Sequence, residues 1–112
     1  MKRSLFLLVL MLAVYPASMG AQNKVSKPFS VTVGGNVVTL NWNASISPNI
    51  ASYNIFRSTV SGGPYTKIDS STTLSYTDLK ALPHTTYFYV VTAVNSSGQE
   101  SANSNEATAV IP

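Results

Sequence analysis

Turn-forming residues punctuate this chain so often that they dictate its architecture. From residue 29 onward come Gly34-Gly35, Ser47-Pro48-Asn49, Gly62-Gly63-Pro64, Leu82-Pro83 and Ser97-Gly98. The pieces between them are short, rich in Val, Ile, Thr, Tyr and Phe, and none shows a sustained helical period. Such residues fit a pleated, half-buried surface. Short strands separated by frequent turns build a sandwich or a small barrel.

Alternation assigns the faces, because successive side chains of a strand point to opposite sides. In residues 37–43, Val38, Leu40 and Trp42 share one face, while Thr39, Asn41 and Asn43 face water. In residues 52–58, Tyr53 and Ile55 oppose Asn54 and Phe56. In residues 86–95, Tyr87, Tyr89, Val91 and Ala93 are in phase against Phe88, Val90, Thr92 and Val94. Shorter strands are predicted at 29–33, 65–68, 74–77 and 106–111, which makes seven. The chain has no cysteine, so a buried core must hold the domain without disulfides. A chain of this length buries roughly 60–70% of its unfolded surface, which suffices.

The first 20 residues read as an address. Lys2 and Arg3 precede an apolar run, LFLLVLMLAV, followed by Tyr15-Pro16 and the small residues Ala17, Ser18 and Gly20. That is the layout of a secretory signal peptide, with cleavage expected after Gly20. Ten apolar residues fall short of the roughly 20 a membrane span needs. The expected product is secreted, extracellular or periplasmic, with no membrane attachment after cleavage. Residues 21–28 are polar and read as a flexible tail. Removing the leader leaves five basic residues against four acidic ones, a net charge of +1. No basic cluster survives to follow a phosphate backbone, which argues against nucleic acid as a partner.

From residue 29 to residue 112 the chain resembles a fibronectin type III domain of the kind found in bacterial secreted proteins. Six pieces carry the resemblance in order. They are Val38-x-Leu40-x-Trp42; Tyr53-Asn54-Ile55-Phe56-Arg57-Ser58; Ser61-Gly62-Gly63-Pro64-Tyr65; Ser75-Tyr76-Thr77-Asp78; Thr85-Thr86-Tyr87-x-Tyr89-x-Val91-x-Ala93-x-Asn95; and Ser104-Asn105-Glu106. The resemblance implies an all-β, seven-stranded immunoglobulin-like sandwich with Trp42 between the sheets. Tyr53 and Tyr89 join it as structural residues. Tyr87 resembles the tyrosine-corner residue, whose hydroxyl bonds to backbone a few residues upstream. Asp78 matches a position that caps the following turn. Two positions depart from the family's pattern. Ala81 stands where Leu is usual, and His84 where Gly is frequent.

Catalytic equipment is sparse. His84 is the only histidine and follows a proline in a turn. Asp69, Asp78, Glu100 and Glu106 are spread along the chain, with no pair implied across a cleft and no metal-ligand spacing. No cofactor is expected, and the domain reads as a non-enzyme. Two features suit binding. Phe56, Phe88 and Val90 become neighbours on the outer face of the larger sheet if the third and sixth strands pair, and apolar patches mark contact sites. Residues 95–105 (NSSGQESANSN) form a polar loop at one end, where related sandwiches carry recognition. The expected role is therefore a secreted, non-catalytic module that contacts protein or extracellular polysaccharide. The rival is a ligand-free spacer or a remnant of a multidomain, carbohydrate-active protein, and the sequence leaves the oligomeric state open.

Overall fold

The computed structural model describes residues 30–112. The predicted leader (1–20), the tail (21–28) and Phe29 lie outside the described residues. Seven strands follow in order: β1 (Ser30–Gly34), β2 (Val37–Asn41), β3 (Ile50–Ser58), β4 (Thr66–Ser71), β5 (Ser75–Asp78), β6 (Thr86–Asn95) and β7 (Ala107–Val110). They form two antiparallel sheets, ordered β1-β2-β5 and β4-β3-β6-β7. This is the seven-stranded sandwich the turn spacing predicts.

The inward phase of each strand supplies the core. Val38 and Leu40 from β2, Ile55 from β3, and Tyr89, Val91 and Ala93 from β6 are fully enclosed, with Trp42, Tyr53 and Tyr87 nearly so. Trp42 meets Tyr53 edge to face at 5.6 Å between ring centroids. This geometry directs a positive ring edge at a negative ring face. Trp42 lies one residue beyond β2, yet its N–H donates to the Leu74 carbonyl and prolongs the β2–β5 ladder.

Element ends differ from the sequence reading where the strands are polar. β4 runs to Ser71 rather than stopping at Ile68, because Ser70 and Ser71 pair with Asn54 and Tyr53. On an edge strand the exposed phase needs no apolar residue, so alternation fades there. A bulge between Ile55 and Phe56 shifts the β3–β4 register.

Among the described residues, no strand lies beside β6 on the β7 side beyond Tyr89. The segment 100–105 takes that place. Ser101 and Ser104 are buried, and each clasps β6 twice. The Ser101 N–H donates to the Ala93 carbonyl while its hydroxyl oxygen accepts the Ala93 N–H, each at 2.9 Å. Ser104 does the same with Val91, again at 2.9 Å. Two serine hydroxyls thus replace two strand carbonyls, and the buried backbone donors of β6 are satisfied.

Candidate functional site

The outer face of the four-stranded sheet is built by the β3–β6 pairing. Its register sets Phe56 opposite Val90 and Ser58 opposite Phe88. The flanking strands extend the same rows, with Lys67 beside Phe56 and Thr108 beside Phe88. The three apolar residues expected together are therefore neighbours. Their exposure is unequal: Phe56 and Phe88 are half-buried, but Val90 is 2% exposed. Val90 does not belong to an open patch.

A strap from the same chain is tied down on this face. The hairpin between β3 and β4 reaches Glu106, the residue just before β7. Glu106 accepts from the Ser61 hydroxyl at 2.7 Å, from the Gly62 N–H at 2.8 Å, and from the Tyr65 hydroxyl in a short hydrogen bond. Tyr65 immediately precedes β4, and β3 and β6 lie between β4 and β7. The Tyr65 and Glu106 side chains, which start from opposite edges of the sheet, therefore reach toward each other and meet. Gly62 and Gly63 have φ of 86° and 89°, a region that glycine enters without penalty. A Cβ on Gly63 would stand 2.9 Å from the Tyr65 ring, so the ring lies against that bare backbone. The Gly62 N–H, then the Tyr65 and Ser61 hydroxyls, hold the Glu106 carboxyl below its ordinary range. Burial and the same carboxylate push the Tyr65 phenol up.

Inside the sandwich sits a polar cluster. Asp78, 2% exposed, accepts from Arg57 at 2.8 Å, from the Tyr89 hydroxyl at 2.6 Å and from the Lys80 N–H at 2.9 Å. The Lys80 bond is the turn cap expected of Asp78; the other two make it a core residue as well. The Arg57 guanidinium lies 4.7 Å above the Tyr87 ring centroid, a cation–π contact. Burial pushes the Asp78 carboxyl up, but its three donors and the Arg57 charge outweigh burial and hold it below its ordinary value. An open cleft of about 390 Å³ adjoins this cluster between the β4 and β5 edges, lined by Ile68, Asp69, Tyr76 and Lys80 among others.

Asp69 and Tyr76 meet in that cleft, where burial and then the Asp69 carboxylate push the Tyr76 phenol up. Glu100 accepts from Asn54 and Thr92 on the outer face, and Asp69 accepts from the Ser70 N–H. Among the described residues, no group of three or more His, Asp or Glu could hold a metal ion.

No family model matches the chain. Among solved structures, a fibronectin type III-like protein from Clostridium thermocellum is 42% identical, with a TM-score of 0.70, over 80% of this chain and 92% of that one. The chain belongs to the fibronectin type III family. The domain is also 48% identical, over 77 residues, to an amylopullulanase from Thermoanaerobacter thermohydrosulfuricus. That match takes in 68% of this chain but only 5% of the amylopullulanase. A pectate lyase from Pectobacterium carotovorum is 26% identical with a TM-score of 0.63, over 71% of this chain and 26% of its own.

Both departures from the fibronectin type III pattern now have a structural account. The Tyr87 hydroxyl accepts the Leu82 N–H at 3.0 Å, so the corner forms as the family pattern implies. Ala81 is buried and Leu82 is 63% exposed, so the frame is unshifted and a smaller side chain fills the usual Leu position. His84 has φ of 57°, the left-handed conformation that explains a glycine there in other members.

Proposed function

We propose that this fibronectin type III domain is a non-catalytic module of an exported, carbohydrate-active protein, acting by contact through the outer face of its four-stranded sheet. The partner is a polysaccharide or a protein. The observation that carries the reading is the adjacent placement of half-exposed Phe56 and Phe88 on one rigid sheet face. Aromatic rings on a fixed scaffold supply contact area at little entropic cost. The amylopullulanase and pectate lyase likenesses supply the carbohydrate-active setting. The apolar run behind Lys2 and Arg3 supports export.

The non-catalytic reading rests on how the four carboxylates are used. Asp78 and Glu106 each accept three hydrogen bonds within the fold. Glu100 and Asp69 are held by their own neighbours. His84 stands in an exposed turn, where its backbone N–H donates to the Pro112 carbonyl. In the open cleft between β4 and β5, Asp69 stands with Tyr76 and Lys80, and the second carboxylate there, Asp78, is already committed to three donors.

The test is retention of the purified protein on polysaccharide gels and on immobilised secreted proteins, beside the double variant Phe56→Ser, Phe88→Ser. Retention that the double variant loses is the expected result. Equal retention of the two proteins overturns the outer face as the contact surface, and retention of neither favours a spacer.

A further inference from the structure

The outer face holds a third aromatic that strand alternation does not reveal. Tyr65 lies outside any strand, just before β4, yet its hydroxyl meets the side chain of Glu106, which just precedes β7 on the opposite edge of the sheet. Tyr65 is partly exposed, and the two strands between these edges carry Phe56 and Val90 in one row and Ser58 and Phe88 in the next. Val90 is sealed, so the accessible surface consists of the Tyr65, Phe56 and Phe88 rings.

Two properties of this surface point to a class of ligand. Its rings are bordered by hydroxyl side chains, Ser58 within the rows and exposed Thr108 beside Phe88. Its charges balance, with Lys67 beside Phe56 and Glu106 already engaged by three donors. Rings plus hydroxyls without net charge match a neutral pyranose chain, which offers C–H-rich ring faces to aromatics and hydroxyls to the border. An acidic glycan finds no unpaired cationic cluster here. A protein partner of useful affinity needs roughly 800 Å² on each side, more than three rings provide.

We propose that Tyr65 completes the contact surface formed by Phe56 and Phe88, that Glu106 is its positioning residue, and that the surface takes the ring faces of a neutral glycan chain. This rests on the contact reading above and adds to it a residue and a ligand class. Pinning matters because a free tyrosine must be immobilised on binding, whereas one already held by Glu106 has lost that freedom.

Affinity electrophoresis in gels containing pullulan, or polygalacturonate as the acidic comparison, tests each part. Wild type is expected to be retarded by pullulan alone. Tyr65→Ser is expected to weaken that retardation about tenfold, the size of a lost aromatic anchor. Tyr65→Phe keeps the ring but loses its bond to Glu106, so it is expected to bind better than Tyr65→Ser and to be weakened about as much as Glu106→Ala. Glu106→Ala is expected to weaken retardation and to speed amide exchange at Ser61–Gly63 while leaving exchange at Val91 unchanged, with Glu106→Gln restoring part of both. If Tyr65→Ser binds like wild type while the Phe56, Phe88 double variant does not, Tyr65 has no place in the site and the contact reading survives. Retardation by polygalacturonate, or retention on protein alone, overturns the ligand class. If wild type is retained by nothing, the contact reading itself fails, and this inference fails with it.

Discussion

The hydroxyl of Tyr89 donates to the carboxylate of Asp78 at 2.6 Å inside the sandwich, where both residues are almost wholly enclosed. Tyr89 hangs from the four-stranded sheet and Asp78 ends an edge strand of the other, so this bond ties the layers together. Breaking a buried ion pair from one side strands the remaining charge and costs about 3–5 kcal/mol. Asp78→Ala is therefore expected to lose about that much in a urea melt, because Arg57 and Tyr89 lose their acceptor together. Tyr89→Phe removes one bond and is expected to cost about 1–3 kcal/mol. A double-mutant cycle between Tyr89→Phe and Asp78→Asn should show coupling well above the scatter of independent sites. Additive effects would mean the two groups do not act as a unit.

Acid should expose the same bond. The Asp78 carboxyl is lower in the folded protein than in the unfolded chain. Its contribution is thus complete above the unfolded value of about 4 and is lost as pH falls through the lower folded value. Glu106 is lowered in the same direction by its three donors. Stability should be level near neutrality and fall below about pH 4. Asp78→Asn should flatten that fall. At the alkaline end the sign reverses. Burial, then the Asp78 carboxylate, raise the Tyr89 phenol, so its contribution is present below about pH 10 and lost above it. Denaturant midpoints recorded against pH would check both limbs.

Trp42 and Tyr87 hold the two layers by different means. Trp42 fills space between the sheets, 4% exposed and edge-on to Tyr53. Trp42→Ala is expected to cost about 3–5 kcal/mol through lost burial and a cavity. The Tyr87 hydroxyl instead satisfies the Leu82 N–H. Tyr87→Phe keeps the ring beneath Arg57 and loses only that bond, at about 1–3 kcal/mol. The contrast is checked by urea melts of both variants. A Trp42→Ala protein as stable as wild type would remove the packing account.

Strand alternation makes most of this architecture legible in the sequence. Val38, Leu40, Ile55, Tyr89, Val91 and Ala93 were assigned inward by phase, and all are enclosed. What stayed hidden depends on pairing between distant segments. Arg57 shares the inward phase of Tyr53 and Ile55, a signal that it needs an interior acid, but only the tertiary fold brings it to Asp78. Tyr65 and Glu106 both stand in motifs that mark the family. Their contact spans the outer face and has no periodic signature. Phase puts Phe56, Phe88 and Val90 together on the outer face, but it gives a side chain's direction and not its exposure, and Val90 is enclosed. In residues 95–105 the polar composition suggests a solvated connector, whereas Ser101 and Ser104 act as surrogate strand partners. A serine that caps a strand and one that faces water are identical in sequence.

His84 offers a stabilising change. Its φ of 57° puts a residue with a Cβ in the left-handed region, at a cost of roughly 1–2 kcal/mol that glycine avoids. Its backbone N–H donates to the Pro112 carbonyl, so the conformation is fixed by the fold. Glycine gives part of the gain back by loosening the unfolded chain, about 0.5–1 kcal/mol. His84→Gly is thus expected to stabilise by about 0.5 kcal/mol net and to raise the thermal midpoint by roughly 2–4 °C for a domain of this size. His84→Val, β-branched and poorly suited to positive φ, should destabilise. Calorimetry on the three proteins decides it: a lower midpoint for the glycine variant than for wild type would mean that the imidazole, not the backbone, earns its place in the turn.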